Sequence, residues 1–419
     1  MNIGRITIAM LHIECGITYT HIQKLHIRGS AGGHCRLEAV LELSQTVTQV
    51  SAGKETTVSL PDGTVIFKGK STAAGISHSN GYRTVTLTAY DSSMETDQKK
   101  ENRTFQDASI SLEALAAHLL QSYKGTAIIE KNSAVGKILH QKEETDWAFL
   151  KRVAAGKGMK LYADCRSSSP LIYAGAKGIR RFPEEILKEI QSKTVNAGEI
   201  RNRNNAGKDT QNYECEVFQC DTEELTAATG DLVGNYIVTA HHISSHKGIV
   251  TNTLTLARKD CAAPSQEESS QPDFVTGVLE GTVTAVSGNR IQVAFDTDAG
   301  LGGPCWIPYE NTLNNSFYCM PDEGDRVFVY YENAGNIICL GSKRKDTAHP
   351  DFDKPEEKVL TNHKKMIKFK MESLEITSDR ILHEEESDAR VSIEMKDAEG
   401  ITITSGKDIV GNCETGSQS

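Results

Sequence analysis

Between Ile367 and Ile403 apolar side chains recur at every second position: Ile367, Phe369 and Met371, then Leu374 and Ile376, then Val391, Ile393 and Met395, then Ile401 and Ile403. Period two places each run on one face of a β-strand. The stretch 358–419 is too short to supply a second layer of its own, and a few strands with one bare apolar face are marginal in water. This region is therefore expected to be completed by oligomerisation, with those residues as the shared core.

The rest of the chain is more varied. At roughly 150 residues per domain, 419 residues predict two to four domains. Alternation again dominates the N-terminal part, where Leu37, Ala39, Leu41 and Leu43 share a face, as do Val85, Leu87 and Ala89. Pro61-Asp62-Gly63 and Asn80-Gly81 supply turns between such runs and predict hairpins. After Ser111, a candidate N-cap, the period turns helical through Leu112, Leu115, Ala116, Leu119, Leu120 and Tyr123, until Gly125. A second helix is predicted from Thr145, with Asp146 in its first turn and Trp147, Leu150, Val153 and Ala154 on one stripe up to Gly156 or Gly158. A third, short helix is expected with Pro183 as its first residue and Ile186, Leu187 and Ile190 on one side. Strands resume at 213–218 and as a hairpin, 236–244 and 249–257, around His246-Lys247-Gly248.

Two polar, proline-bearing stretches without periodicity, 262–272 and 345–357, read as linkers. They leave 1–261, with helices near 111–124 and 146–156, then 273–344, then 358–419. Within 273–344 five short strand-like runs, 277–286, 290–295, 305–309, 326–331 and 336–340, match the size and strand count of a small closed barrel such as an OB-fold. The predicted class is mainly β with a few helices, in several domains.

Charge narrows the function. The chain carries 46 basic against 56 acidic side chains, a net charge of −10, and 273–345 holds nine acids against five bases. Both balances argue against binding a nucleic-acid backbone, so Trp306, Tyr330 and Tyr331 are read as packing or interchain contact residues instead of base-stacking platforms. The ten cysteines include no CxxC pair and read as reduced thiols of a cytosolic protein. The N-terminus is apolar only briefly before His12 and Glu14, with no small-residue cleavage site, so no signal peptide is expected. No apolar run approaches the roughly 18 residues of a membrane helix.

The chemical candidates are weak. Gly63, Gly69, Lys70 and Ser71 imitate a phosphate loop, but five residues separate the glycines and the segment sits inside an alternating hairpin. Cys215, Cys220, His241, His242 and His246 form the best metal-like constellation, since two thiolates and two imidazoles suit tetrahedral zinc. An odd offset along a strand puts Cys215 and Cys220 on opposite faces; the favoured reading is a buried Cys215 beside Tyr213 and Val217, histidines at a hairpin end, and no metal. Asp322, Glu323 and Asp325 lie in a turn before a strand with no His or Ser partner at a defined offset, and read as solvated acids. No G-x-S-x-G or H-E-x-x-H signature occurs. No catalytic residue, cofactor or metal is expected.

Glu144-Thr145-Asp146-Trp147-Ala148-Phe149-Leu150-Lys151-Arg152-Val153-Ala154, closed by Gly158 and followed by 160–164, resembles the E-S/T-D-W-x-F-L-x-R segment of the VgrG family and of contractile-phage baseplate hub proteins. Arg103-Thr104-Phe105-Gln106-Asp107, ahead of the Ser111 helix, is similar to that family's segment after its first barrel. Thr229-Gly230-Asp231-Leu232 with Tyr236-Ile237-Val238 resembles the hairpin that closes the hub module. The segments 281–283, 288–293, Trp306-Ile307-Pro308 and 321–329 resemble the family's OB domain, and the alternating tail is similar to the start of its trimeric β-helix or β-prism.

The resemblance spans nearly the whole chain and implies a non-enzymatic homotrimer: the hub and spike of a contractile injection system, whether phage tail, tailocin, type VI secretion system or a related device. It implies two hub β-barrels with inserted helices in 1–261, an OB-fold barrel in 273–344, and a short intertwined β needle in 358–419. Trp147, Phe149 and Leu150 would be motif core, and the alternating tail residues the trimer core. Two barrels per chain would give six lobes per trimer, adapting a sixfold tube to a threefold membrane-piercing needle. The implied partners are the other two copies, the tube protein, baseplate components, a PAAR-type tip protein or effector, and the target-cell envelope on firing; nucleic acid is not among them. The implied location is the bacterial cytoplasm within an assembled particle, or a phage or tailocin particle, with delivery outward on contraction. The short 345–357 leaves no room for the lysozyme domain of peptidoglycan-cutting phage versions. The alternative is a cell-wall hydrolase or effector-bearing spike, and behind it an OB nucleic-acid-binding protein.

Overall fold

Alternation becomes burial in the strand Arg36–Leu43, where Leu37, Ala39, Leu41 and Leu43 turn inward and Glu38, Val40 and Glu42 stay half-buried. The structure is a computed structural model that describes residues 5–44, 51–79, 81–176, 178–195, 216–259, 277–310, 319–333, 336–343, 354–362, 365–379, 390–396 and 400–405. The chain divides into two units, Met1–Ser342 and Lys343–Ser419. The expected linker 262–272, Cys215 and most of 345–357 lie outside the described residues.

In the first unit one large sheet runs through His12–Glu14, Glu55–Ser59, Val65–Ser79, Tyr82–Asp91, Arg36–Leu43, Tyr19–Ser30, Tyr236–His246, Ile249–Arg258, Glu216–Thr222 and Glu189–Val195, in that order. The strand pair Leu232–Val233 and Arg181–Phe182 attaches beside Tyr236–His246. The two expected barrels are thus curled arms of one sheet, joined where Tyr19–Ser30 pairs with Tyr236–His246 from Ala240↔Ser30 to Ser244↔His26. The arms share a core at the joint: Ile243 and Val250 are buried in one cluster with Leu25, Ile27, Leu37 and Leu87. Phe218, Cys220, Val238, Leu254 and Leu256 fill the second arm.

Two local requirements of this sheet are visible in the sequence. Lys247 and Gly248, both at positive φ (49° and 81°), close the long hairpin between His246 and Ile249. At Gly69 a Cβ would stand 1.9 Å from the Tyr90 carbonyl oxygen, so glycine is needed there for backbone contact. The segment with Gly63, Gly69, Lys70 and Ser71 is turn and strand, not a phosphate loop.

Residues 100–174 form an inserted α/β layer. α1 (Leu112–Leu120) begins where the Ser111 hydroxyl accepts the Ala114 N–H at 3.1 Å, and α2 (Asp146–Gly156) where the Thr145 hydroxyl accepts the Ala148 N–H at 3.1 Å. Leu115, Leu119, Phe149, Leu150 and Val153 pack in one core with Ile129, Leu161 and Ile172 from the sheet Leu161–Ala163, Leu171–Ala174 and Thr126–Ile129. The expected third helix is corrected: Pro183 caps a single 3-10 turn, Glu184–Ile186, and Ile190 belongs to the strand Glu189–Val195. Leu187 is already extended, and pairing with Glu216–Thr222 satisfies the backbone that further helical turns would have satisfied internally.

Further along, the sheet order is Trp306–Pro308, Arg290–Phe295, Gly277–Ser287, Arg326–Asn333, Asn336–Lys343. A parallel bridge between Tyr309 and Cys339 joins its two ends, which closes five strands into a barrel with OB connectivity. Val283, Ile291, Val293, Ile307, Val327 and Val329 fill it. The barrel is seated on the inserted layer: the Thr104 N–H donates to the Thr297 carbonyl at 2.6 Å and the Gln106 amide to Asp298 Oδ2 at 2.8 Å. The ring of Tyr331 is buried 5.5 Å from that of His140, whereas Trp306 is 43% exposed.

The second unit is a five-stranded antiparallel meander, Lys358–Asn362, Lys365–Phe369, Ser373–Asp379, Arg390–Lys396 and Gly400–Ser405. Among the described residues no helix is long and apolar enough to cross a membrane.

His140, at the seat of the barrel, gives the fold a pH dependence. Burial lowers its pKa to about 4, with Lys142 and Arg152 adding to the effect against a hydrogen bond that the imidazole donates to the Arg103 backbone. Between about pH 6.5 and 4 the unfolded chain therefore binds a proton that the folded chain refuses, so stability falls on acidification through that window. Calorimetry from pH 7 to 4 should show a falling unfolding midpoint, and His140→Gln should flatten the fall.

Candidate functional site

The second unit holds the residues expected to join copies of the chain. Strand register sets Leu360, Ile367, Ile376, Ile393 and Ile403 in one row across all five strands, and Phe369, Leu374, Met395 and Ile401 in a parallel row on the same face. The opposite face carries Lys368, Glu375, Glu394 and Thr402 in one row and Met366, Thr377, Ser392 and Thr404 in the next. The apolar face is bare within the chain: Leu360 is 42% exposed, Ile367 37%, Phe369 46%, Ile401 66% and Ile403 48%. In the backbone register Val391 pairs with Ser378 and Ser405. Met371 stands apart from the rows, in the turn before Ser373–Asp379. Leu360 was missed because it borders the proline-bearing stretch; only its pairing with Ile367 reveals it.

The 144–152 motif acts as a local staple. Glu144 pairs with the Arg152 guanidinium through both oxygens, at 2.9 and 2.6 Å, and Arg152 also donates to the His140 carbonyl at 2.9 Å. Thr145 caps α2. Asp146, 2% exposed, accepts from Arg103 at 3.0 Å, Gln141 at 2.9 Å and Tyr123 at 3.1 Å. Trp147 packs 4.5 Å from the His34 ring of the first arm, Phe149 stacks on Phe105 at 5.5 Å, and Leu150 is buried beside them.

A second staple joins the inserted layer to the second arm. Arg166 donates to both oxygens of Asp231, at 2.8 and 3.1 Å, to Asp164 at 2.6 Å and to the Thr226 carbonyl at 2.7 Å. Asp231 also accepts the backbone N–H groups of Ala228 at 2.9 Å and Arg180 at 3.0 Å. Both side chains are almost fully buried, so each lone pair and proton must be met inside the protein, and here the carboxylate oxygens are. Asp231 belongs to the 229–232 segment and Asp164 to the 160–164 segment singled out by sequence; Arg166 carried no signal of its own.

Among the described residues the metal-like constellation is not assembled. Cys220 lies in the apolar core of the second arm, and His246 ends the exposed hairpin. His241 and His242 face opposite ways: His242 Nε2 lies 3.0 Å from His26 Nδ1 and accepts from Arg28 at 3.2 Å, while His241 is buried. His241 instead meets Cys35 and Cys165, whose sulfurs and its ring nitrogen lie within 4.8 Å of one another. Sequence spacing gave no hint of this cluster, because its members come from three separate segments. Asp322, Glu323 and Asp325 occupy a turn in which the Asp322 N–H donates to Asp325 Oδ2 at 3.0 Å.

No protein-family model matches the chain, and no curated protein matches its sequence. Solved structures do match. An E. coli protein, c3393, described as a component of the type VI secretion system with structural similarity to the T4 bacteriophage tail proteins gp27 and gp5, aligns at a TM-score of 0.57 over 80% of this chain and 99% of its own, at 13% identity. A chain of the half-lidded Francisella PdpA–VgrG complex aligns at 0.55 over 92% of this chain and 84% of its own, at 9% identity. The chain has a VgrG-related fold.

The staples differ from ordinary surface ion pairs in being buried, and their loss should show it. Asp231→Ala leaves the Arg166 charge without its main partner and should cost about 3–5 kcal/mol. Thr145→Ala removes a helix cap and the hydroxyl's hydrogen bond to Asp97 but leaves no buried charge unpaired, and should cost about 1–2 kcal/mol. Urea unfolding of both variants measures the difference.

Proposed function

We propose that the chain is a structural hub-and-spike protein of a contractile injection system, active as a homotrimer in which three tail sheets turn their apolar faces to a common axis. The observation that carries this reading is the bare double row from Leu360 to Ile403. Covering five half-exposed aliphatic and aromatic side chains is worth on the order of 5 kcal/mol per chain, and three identical sheets can cover one another at once. The match to c3393, a component of the type VI secretion system, and to a chain of the PdpA–VgrG complex supports the reading, since the alignments run over 80% and 92% of this chain.

In this reading the two curled arms of each chain give six lobes around the axis and meet a sixfold tube, while the tail sheets form the threefold needle. The work is mechanical. Hydrogen-bonded strands shared around an axis leave few free edges, and an interior of interdigitated Ile, Leu and Phe resists axial load without a moving part. Partners would be tube and baseplate proteins above and a PAAR-type tip or effector below. The protein would be assembled inside the bacterium or in a phage or tailocin particle and carried outward on contraction.

Sedimentation equilibrium of the full chain at micromolar concentration should give three times the chain mass. Ile367→Asp combined with Ile403→Asp should shift it to monomer, whereas Thr402→Asp, on the opposite face, should leave the trimer intact. A wild-type monomer with an ordered tail would sink the proposal.

A further inference from the structure

Cys35, Cys165 and His241 come together at the point where the first arm, the inserted layer and the second arm meet. All three are buried, at 3%, 1% and 3% exposure. Cys35 precedes the strand Arg36–Leu43 and is fixed by its N–H, which donates to Asp91 Oδ2 at 2.9 Å. Cys165 follows Leu161–Ala163, and its carbonyl accepts the Lys68 N–H at 2.7 Å. The imidazole is clamped from two sides: a Cβ at Gly29 would stand 2.5 Å from its Cε1, and the Thr229 N–H donates to its Nδ1 at 3.0 Å.

That last bond decides what the cluster can do. Because Nδ1 accepts a backbone N–H, the neutral ring carries its proton on Nε2, the atom that lies 3.7 Å from Cys35 Sγ. A metal-bound histidine has the opposite arrangement, with one nitrogen bare toward the ion and the other donating. Here the nitrogen aimed at the sulfurs is a donor, which suits a thiolate and opposes a cation. The pair is also asymmetric: a hydrogen bond from Cys35, then the influence of His241 and Arg166, holds the Cys165 thiol below the usual range despite burial. Burial, and Cys165 beside it, push Cys35 up.

We propose that Cys35 and Cys165 are a redox pair that closes to a disulfide on exposure to a small disulfide oxidant. The Cys165 thiolate attacks one sulfur of the oxidant, forming a mixed disulfide and releasing one thiolate, which takes a proton from water. Cys35 then attacks Cys165 Sγ; the bond to the oxidant fragment breaks, and that fragment leaves as a thiol with the Cys35 proton. Two protein thiols are oxidised and one oxidant disulfide is reduced to two thiols. A cavity of about 330 Å³ is lined among others by Lys68 and Asp91, the residues that hold the two cysteine backbones, but by neither cysteine, so the oxidant would reach the pair through that wall. The new bond ties the first arm to the inserted layer.

The test treats the reduced full-length protein with 2-hydroxyethyl disulfide, quenches by alkylation and maps peptides without reduction. The expected product is a Cys35–Cys165 linked peptide, reversed by dithiothreitol, with an unfolding midpoint raised by roughly 5 °C. Cys35→Ser should instead trap the mixed disulfide on Cys165, and Cys165→Ser should leave Cys35 unmodified. Failure to link while the exposed Cys319 is fully derivatised would overturn the proposal. So would one equivalent of zinc or copper in the purified protein that is lost in either serine variant, because it would make the cluster a metal site.

Discussion

A single β-sheet has two faces, and water accepts only one of them if the other is built of Ile, Leu, Val and Phe. The chain meets that constraint differently in each of its parts. In the large sheet the arms curl over their own apolar side chains, with Ile243 and Val250 sharing the core of Leu25 and Leu37. In the five-stranded barrel the Tyr309 and Cys339 bridge brings the last strand back to meet the third, so the inner face closes on itself. The tail sheet has no closing pair between its first and last strands within the described residues, and its rows from Leu360 to Ile403 stay open. Among the described residues, the second unit thus carries the sheet face that its own chain leaves open.

The first unit is held by buried polar groups as well as apolar contact. Glu144 with Arg152, Asp146 with Arg103, and Arg166 with Asp231 each stand where one segment of chain meets another. Such pairs add little net stability over a well-packed apolar core, but they tolerate few alternative arrangements once buried. The same logic explains why the E-T-D-W segment is compact: it supplies an ion-pair partner, a helix cap, a carboxylate hub and an aromatic anchor within four residues.

What was legible in the sequence was local. Alternation foretold which face of Arg36–Leu43 is buried, Ser111 and Thr145 foretold the helix starts, and His246-Lys247-Gly248 foretold the long hairpin, because each depends on a few adjacent residues. Pro183-Glu184-Glu185 carried an equally local helix signal and was overridden by strand pairing with a segment some thirty residues away. Contacts set by long-range pairing left no trace: the joining of Tyr19–Ser30 to Tyr236–His246, the meeting of Arg166 with Asp231, and the convergence of Cys35, Cys165 and His241. Within the tail, the two apolar rows followed from period two, but the exclusion of Met371 and the inclusion of Leu360 needed the register.

The central claim is that the open face of the tail sheet is an interior surface of the assembled protein. Cryo-electron microscopy of the full-length protein tests it most directly. The account predicts a threefold particle in which Ile367, Ile376 and Ile403 of each copy face the axis and the Lys368, Glu375 and Thr402 row faces solvent. A map in which the Ile367 row points outward, or in which the tail of each chain is ordered without touching another copy, would contradict it.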